Sequence, residues 1–306
     1  MKAERARTLL SDIDYRHPRT RLLYWILFAG LVLGAVTTIL PFAWGFLSAL
    51  KPSDKVFAYP PTLLPEPATR PDLWNWKVYA EVFSGTRFVR YFWNTFLLAV
   101  CCWVVALLPS ALAGYALSKL RTPFRRILLF LFFATLMVPF QAYMVPLYLT
   151  VSRLRIPFLN ETLTRAFAGY PAVILPAGVS AFNILLFKSF FDDIPTSLVE
   201  AARIDGSSEL GILWRVVLPL SYSIFAVVSI FSFMGTWNDF LWPLLTISDE
   251  NWKTIMLRLY QFDAQGDVGK NKVLAALMIA SVPPLVLFAL FQKRIMQGIA
   301  TVGVKF

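Results

Sequence analysis

Side chains that commonly do covalent or metal chemistry are few in this sequence. Its single histidine, His17, lies in a charged N-terminal stretch, and its two cysteines, Cys101 and Cys102, are adjacent within an apolar run. A nucleophilic triad needs a histidine beside a serine or cysteine, and zinc or haem needs suitably spaced ligands. Adjacent cysteines also provide no disulfide framework. We therefore expect no catalytic residue, no metal site and no enzymatic activity in this chain.

A nucleotide-binding loop is also missing from the sequence. The phosphate-binding loop of many ATPases follows the pattern G-x-x-x-x-G-K-[S/T]. The only Gly-Lys pair, Gly269-Lys270, is followed by Asn271, and Ala264 stands where the first glycine belongs. If the protein moves a solute, the energy has to come from another chain or from an ion gradient.

One polar stretch between two apolar runs has the pattern of a folded turn. Residues 200–206 read E-A-A-R-I-D-G, and Leu218-Pro219 follows. Pro195 suits a first helical turn, Ser197 and Glu200 have capping-box spacing, and Gly206 can adopt the left-handed conformation that ends a helix. The pattern predicts two short helices joined by a glycine turn, and we name residues 191–219 the elbow. The alternative is an ordinary surface helix with Glu200 and Arg203 paired at i, i+3.

The composition indicates a membrane protein. Hydrophobic residues make up 58% of the 306 residues, and the mean hydropathy is +0.61, whereas soluble domains contain roughly 45–50% apolar residues. The formal net charge is +11, but the basic residues flank apolar runs instead of forming a basic domain. Anionic lipid headgroups of the bilayer are therefore the expected partner of these charges, and nucleic acid is not.

Uncharged runs long enough to cross a bilayer recur along the chain. A spanning helix needs about 20 apolar residues, and helices satisfy their own backbone groups in hydrocarbon. The sequence predicts an all-α integral membrane fold with six transmembrane helices and the elbow between the fourth and fifth. The runs are residues 22–50, 91–118, 127–152, 166–187, 216–238 and 273–292. A G-x-x-x-G pair in the first run, Gly30 and Gly34, predicts close approach of a neighbouring helix.

The segments outside the runs set the expected orientation. Six basic residues within residues 1–21 and the cluster Lys119-Arg121-Arg125-Arg126 favour the cytoplasmic side, so both termini are expected there. We expect the chain to consist of five parts in order: a basic tail 1–21, a first helix 22–50, a proline- and aromatic-rich outer segment 51–90, a five-helix core 91–292 and a C-terminal tail 293–306.

Neutral polar side chains are the candidates for a solute pathway. The runs contain no ionisable residue, which disfavours gradient-driven transport and favours a conduit opened by an external motor. The candidates are Asn94, Gln141, Asn183, Asn238 and the neighbouring Asp239. Alternatives remain for each: Asn183 and Gln141 could bond a neighbouring helix, Asn94 could cap a membrane end, and Asn238 and Asp239 could form a turn.

Three motifs together resemble one transporter family. The E-A-A-x-x-D-G stretch with its L-P resembles the EAA loop of ABC-importer permeases, and W-N-D-F-L-W-P-L at 237–244 resembles a motif of sugar-importer permeases. Residues 297–305 resemble the C-terminal tail of these subunits, with matches at Gly298, Val304 and Lys305. Over 91–306 the chain is similar to permeases of the maltose-transporter type.

This resemblance implies both roles and partners. The elbow would dock on a separate ATPase subunit, with Glu200 orienting it, Ala201 and Ala202 allowing close approach, and Asp205 with Gly206 fixing the turn. The residues implied in coupling are Glu200, Ala201, Ala202, Asp205, Gly206, Leu218 and Pro219, and those of the tail contact are Gly298, Val304 and Lys305.

The implied machine lies in the cytoplasmic membrane of a bacterium or archaeon. It contains a second, non-identical permease, two ATPase subunits that bind ATP and magnesium, and an extracytoplasmic solute-binding protein. This chain itself would hold no cofactor. The expected function is one half of a carbohydrate pathway. Glycerol 3-phosphate or another small solute is the nearer alternative, and a membrane scaffold without transport is the more distant one.

Overall fold

A computed structural model of the chain describes residues 18–85, 87–120, 123–153, 169–266 and 268–302. In these residues the regular structure is helical, without strands. The α-helices are α1 Pro18–Ala49, α2 Lys77–Gly85, α3 Phe88–Lys119, α4 Arg125–Met137, α5 Phe140–Arg153, α6 Tyr170–Ala177, α7 Ala181–Asp192, α8 Thr196–Ile204, α9 Glu209–Ile212, α10 Leu218–Leu220, α11 Tyr222–Asn238, α12 Leu241–Thr246, α13 Ile255–Gln265 and α14 Lys270–Val302.

Membrane-spanning helices dominate the described chain. Four stretches are long and apolar enough to cross a bilayer by themselves: Pro18–Ala49, Phe88–Lys119, Tyr170–Asp192 and Lys270–Lys293. Two bent pairs, α4 with α5 and Glu209–Leu220 with α11, raise the number to six when each pair is taken as one span. The predicted all-α membrane fold is confirmed.

The third run differs from the prediction, because it is two helices and not one. α4 ends at Met137, α5 begins at Phe140, and the two are bent by 102°. Val138 is extended, with φ −88° and ψ 116°. A proline disfavours helical backbone at the residue before it, so Pro139 accounts for the break. The fourth run is interrupted as well, since α6 ends at Ala177 and Ser180 caps α7 by accepting a hydrogen bond from the Asn183 amide.

The fifth run starts later than predicted. Residues 216–220 continue the elbow, and the apolar helix α11 begins only at Tyr222, after a bend of 85°. Before the bend the chain forms a π-helical turn, Leu213–Val217. Pro219 follows this turn and has no amide hydrogen with which to continue the helical ladder, so a widened turn and a bend are the expected response.

The chain divides into two compact units. One consists of residues 1–79 with 269–278, and the other of 80–268 with 279–306. In the first unit the proline-rich segment folds back on the end of α1, where the Tyr79 hydroxyl donates to the Phe46 carbonyl at 3.1 Å. The Asn75 amide donates to the Leu50 carbonyl at 3.4 Å. Short 3₁₀ turns, Ser53–Lys55 and Pro71–Leu73, shape the rest of the segment.

The second unit is built around α3. α3 packs against α6, α7 and α11. One close approach of α3 and α7 is at Gly114, where a Cβ would lie 2.6 Å from Phe187 Cβ and 3.0 Å from the Lys188 amide nitrogen. At Gly30 and Gly34, in contrast, a Cβ would meet nothing within 4 Å among the residues that the structure describes.

Candidate functional site: a helical elbow and a cavity between broken helices

The glycine turn of the elbow has the predicted conformation. Gly206 has φ +81°, its amide donates to the Arg203 carbonyl, and the Ser207 amide donates to the Ala202 carbonyl, both at 3.0 Å. This pair of bonds is the Schellman motif, which satisfies the carbonyls at the end of α8. The turn between α8 and α9 is therefore fixed by backbone bonds.

The predicted helix cap at Ser197 is wrong. α8 begins at Thr196, and its cap residue, Pro195, makes no side-chain hydrogen bond. A serine cap is found instead at the start of α9, where Ser208 Oγ accepts from the Gly211 amide at 3.2 Å. Pro195 already fixes the entry into α8, which leaves Ser197 within the helix.

The ion pair in the elbow is not the Glu200–Arg203 pair of the alternative interpretation. Arg203 bonds Glu209, not Glu200, with Nε at 2.6 Å from Oε1 and Nη2 at 3.2 Å from Oε2. The Tyr115 hydroxyl of α3 donates to the same carboxylate at 2.7 Å. The contact between Glu209 and Tyr115 could not be predicted from the sequence, because 94 residues separate them.

The motif residues of the elbow lie mostly on its outer surface. Exposed members are Glu200, Ala201, Asp205, Gly206 and Pro219, whereas Ala202 and Leu218 are half-buried and pack on the apolar cluster beneath. Four large apolar side chains of the elbow are also exposed, Ile204 at 87%, Leu210 at 61%, Trp214 at 56% and Leu198 at 44%. Exposed apolar residues beside an acid and small residues form a surface suited to a protein partner.

A cavity of about 450 Å³ lies elsewhere in the same unit. Its walls come from α3, α5, α6, α11 and α12 and from the break after α6. The lining residues are Cys102, Phe140, Tyr143, Leu147, Val173, Pro176, Ala177, Val179, Gly235, Thr236, Asp239 and Trp242. The cavity thus adjoins the start of α5, the end of α6 and the end of α11, where helices are interrupted.

One carboxylate and an aromatic wall define the chemistry of the cavity. Asp239 Oδ1 accepts a hydrogen bond from the Trp242 amide at 3.3 Å, and the Trp242 indole nitrogen donates to the Ala172 carbonyl at 3.0 Å. Phe140 packs edge-on against Trp242 and Tyr143, with ring centroids 5.6 and 5.3 Å apart. The Trp242 ring is held in place, while Tyr143 remains 43% exposed.

The other candidate pathway residues are not among those that line this cavity. Asn183 donates to Ser232 Oγ at 3.1 Å and so joins α7 to α11. Asn94 donates to the carbonyls of Asn251 and Lys253 at 2.8 and 3.1 Å. Gln141 and Asn238 are exposed at the start of α5 and the end of α11. Of the five candidates, Asp239 is the one that the structure places in the cavity wall.

Comparison with known proteins decides the family. Residues 89–300 match the family described as binding-protein-dependent transport system inner membrane component. The chain belongs to this family. It is therefore the membrane-embedded permease component of a binding-protein-dependent ABC importer. Such an importer also contains a second permease, ATPase subunits and a solute-binding protein, and the permease itself is not the enzyme.

Individual relatives agree with this assignment. The permease is 31% identical over 88% of its length to the sn-glycerol-3-phosphate transport system permease protein UgpE of Pectobacterium atrosepticum, and covers 93% of that protein. It is 29% identical, with the same coverage, to UgpE of Escherichia coli O1:K1. A crystal structure of a bacterial ABC transporter involved in the import of the acidic polysaccharide alginate contains a chain of the same fold. The TM-score is 0.74 at 22% identity, covering 94% of the permease and 99% of that chain.

The C-terminal motif falls mostly outside the described residues. Gly298 belongs to α14. Val304 and Lys305 lie beyond residue 302, outside the part of the chain that the structure describes. The predicted tail contact stays a prediction.

The loop between α12 and α14 is held on the permease core by polar bonds to α3. Thr95 Oγ1 accepts from the Ile255 amide at 2.7 Å, and Arg90 donates to Asn251 Oδ1 at 2.7 Å. Glu250 pairs with Lys253 and, at 2.9 Å, with Arg258. Sequence analysis gave Glu250 no role.

Replacing Glu250 by glutamine should loosen this loop in a pH-dependent way. Burial raises the pKa of Glu250, but the hydrogen bond and charge of Lys253 and the charge of Arg258 outweigh it and keep that pKa below its ordinary value. The stabilisation is therefore complete above the ordinary glutamate pKa of about 4.3 and is lost as the pH falls through the lower folded pKa. With solvent screening, we expect a loss of about 1 kcal/mol at pH 7.

Tryptophan fluorescence during thermal unfolding would measure the effect between pH 7 and pH 3.5. The wild-type loop should lose stability below about pH 4.5, and Glu250→Gln should be less stable and nearly independent of pH in this range. Glu66→Gln is the control, because Glu66 forms an exposed pair with Lys55. Equal pH profiles of wild type and Glu250→Gln would contradict this prediction.

Proposed function

We propose that this permease forms half of the membrane pathway for a carbohydrate and receives ATP-driven movement through the elbow. The observation that carries the solute class is the cavity with Asp239 and Tyr143 in its wall. In the second part of the proposal, the exposed surface around Glu200, Ala201, Asp205 and Gly206 docks on an ATPase subunit.

The position of the cavity supports a solute site. Interrupted helices leave backbone groups unpaired, and within a membrane such groups are tolerated where they are buried in protein or line a water-filled cavity. Discontinuous helices are also where transporters commonly place their substrate sites. The breaks next to Phe140 and after Ala177 fit this pattern.

The chemistry of the wall supports a neutral, hydroxylated solute. A carboxylate accepts hydrogen bonds and does not donate them when ionised, which suits sugar hydroxyls. The exposed ring of Tyr143 offers an apolar face for the C–H side of a sugar ring. Asp239 is the charged residue among those lining the cavity, and its negative charge would repel a phosphate or a carboxylate.

The surface of the elbow supports the docking proposal. Ile204 and Leu210 are exposed apolar side chains next to the small residue Ala201, so a partner could bury them on close contact. ATP and magnesium would then be bound by two ATPase subunits on the cytoplasmic side. Both termini of this permease would lie on that side, and a second, non-identical permease would complete the pathway.

Glycerol 3-phosphate is the second candidate solute. It is favoured by the two relatives, 31% and 29% identical to this chain, which are permeases of sn-glycerol-3-phosphate transport systems. The carboxylate of Asp239 argues against it, because a phosphate dianion would have to pass an anion of the same sign in the cavity wall. A scaffold without transport is disfavoured by membership in a permease family.

Transport by the reconstituted importer tests the proposal. The permease is purified with its second permease and ATPases, placed in liposomes, and supplied with the binding protein and either neutral sugars or glycerol 3-phosphate. We expect a neutral sugar to stimulate ATP hydrolysis and to accumulate. Accumulation of glycerol 3-phosphate alone would contradict the carbohydrate proposal.

An Asp239→Asn variant tests the role of the cavity. It should lower the rate of sugar transport about tenfold, since losing a hydrogen bond to a charged group costs about 1.5–3 kcal/mol. Assembly of the complex should be retained. Asp54→Asn, in an exposed turn of the outer segment, is the matched control and should transport at the wild-type rate. A wild-type transport rate in Asp239→Asn would exclude a solute contact at this position.

A further inference from the structure

The Glu209 carboxylate joins three separate helices at one point. Arg203 of α8 bonds it through two nitrogen atoms, Tyr115 of α3 bonds it through its hydroxyl, and Glu209 itself begins α9. Arg203 Nη2 also donates to the Lys119 carbonyl at the end of α3, at 3.3 Å. We name Tyr115, Arg203 and Glu209 the clamp.

A second set of bonds fastens the same end of α3 to the first residues of the elbow, before α8. Lys119 Nζ donates to the Ile194 carbonyl at 2.6 Å, and Ser118 Oγ donates to Asp192 Oδ1 at 2.7 Å. Ile194 is buried, and its carbonyl lies just before α8. The end of α3 is thus bonded on both sides of α8.

Apolar packing beneath the clamp aligns the same elements. Tyr115 is 3% exposed and lies in one cluster with Val199 of α8, Ile212 of α9 and Leu213 after it. Apolar contacts of this kind resist separation of the helices but are not directional. The directional bonds between the elbow and α3 are those of the clamp and those of Ser118 and Lys119, and only the clamp reaches the part of the elbow beyond α8.

We propose that Glu209 is a positioning residue which makes the elbow and α3 move as one body, so that displacement of the elbow reaches the solute cavity. The inference rests on the proposed function, because it takes the elbow as the part that the ATPases move. Glu209 touches neither solute nor nucleotide in this proposal. It acts through Arg203 and Tyr115.

α3 provides the connection from the clamp to the cavity. Tyr115 and Cys102 lie in the same helix, and Cys102 contributes to the cavity wall. The two residues are 13 positions apart, which corresponds to about 20 Å along a helix axis. α3 continues as one helix through Pro109, so a shift of α3 at Tyr115 would move the wall of the cavity.

The clamp is not needed to form the elbow itself. The turn after α8 is already closed by the backbone bonds at Gly206 and Ser207. The side chains of Arg203 and Glu209 are 38% and 42% exposed, and exposed pairs add little to stability. Loss of the pair should consequently leave the fold intact and affect the transmission of movement.

The decisive measurement is the number of solute molecules transported per ATP hydrolysed by the complete reconstituted importer. Glu209→Gln keeps an acceptor for Tyr115 but removes the charge that orders Arg203. We expect ATP hydrolysis stimulated by loaded binding protein to stay within about twofold of wild type, and solute per ATP to fall about fivefold or more. Glu66→Gln removes a more exposed ion pair, Lys55–Glu66, in the proline-rich segment and should change neither quantity.

A double-mutant cycle shows whether the two residues act together. Arg203→Gln should reproduce the effect of Glu209→Gln, and the double variant should be no worse than either single variant. If Glu209→Gln does not assemble, Arg203→Gln removes the same bond from the more accessible side and gives the same readout.

The possible outcomes separate this inference from the proposed function. Wild-type solute per ATP in Glu209→Gln, or in Arg203→Gln, would overturn the clamp while leaving the proposed function intact. If the loaded binding protein does not stimulate ATP hydrolysis by the wild-type complex, the proposed function is contradicted. Equal losses of hydrolysis and transport in Glu209→Gln would also overturn the clamp, since they indicate a structural role.

Discussion

Replacing Gly206 by valine is expected to abolish coupled transport while the membrane helices still assemble. Gly206 has φ +81°, and a Cβ built there meets nothing within 4 Å. The penalty therefore comes from the backbone and not from a clash. A left-handed conformation costs an ordinary L-residue about 1–2 kcal/mol, and a β-branched residue is a clear outlier there. The chain should relax by giving up the bonds to Ala202 and Arg203 that hold the turn.

Asparagine at the same position is the matched control. It tolerates the left-handed region far better than valine and has a side chain of similar size. In the reconstituted importer, Gly206→Asn should retain most of the solute transported per ATP, and Gly206→Val should lose at least about tenfold. If Gly206→Val assembles and transports normally, the proposed role of the elbow is wrong. Equal defects in both variants would point to the open space at Gly206 as a docking surface instead of to its backbone.

Replacing Gly114 by alanine should destabilise the permease, although alanine is the better helix former. The new Cβ would lie 2.6 Å from Phe187 Cβ and 3.0 Å from the Lys188 amide nitrogen, so α3 and α7 would have to separate. Overpacking of this kind typically costs about 1–3 kcal/mol. The expected result is a lower unfolding temperature of the purified complex and a smaller fraction of assembled importer.

Gly235→Ala is the control for this substitution. Gly235 also lies within a helix, α11, but a Cβ there meets nothing within 4 Å. Alanine should therefore leave the unfolding temperature unchanged or raise it, since glycine costs about 1 kcal/mol relative to alanine inside a helix. Similar unfolding temperatures for the Gly114 and Gly235 variants would contradict the close packing of α3 and α7.

The glycine residues show how far sequence reasoning reaches in this permease. The turn at Gly206 was predicted because the chemistry of a helix C-terminus is local, and it has the expected positive φ. The G-x-x-x-G pair at Gly30 and Gly34 predicted a close helix contact, and within this chain the space around both is open. A close crossing of α3 lies at Gly114, which has no partner glycine four residues away. Which glycine meets a neighbouring helix depends on how the helices cross, and a one-dimensional pattern does not contain that information.

The proline residues show the same limit of sequence reasoning. Hydropathy identified the six apolar runs, but treated residues 127–152 as one straight span and began the fifth span at 216. Pro139 and Pro219 stand at the two bends, but proline alone does not mark a break, because Pro41, Pro109, Pro146, Pro283 and Pro284 lie inside continuous helices. Only the structure showed the bend of 102° at Pro139. Its consequence, a cavity at the broken helices, was not predictable, because the walls come from elements up to 140 residues apart, Cys102 to Trp242.

The sequence by itself determined the membrane class, the apolar spans, the glycine turn of the elbow and the family resemblance, because each depends on composition or on residues close along the chain. Tertiary structure alone decided that Asp239 lines a cavity and that Arg203 pairs with Glu209. It also decided that Asn183 and Asn94 form hydrogen bonds to other elements. These outcomes depend on contacts between distant segments. Helix packing fixes them through the bends of the chain and the close crossing at Gly114, and local propensity has no influence on which distant side chains then meet.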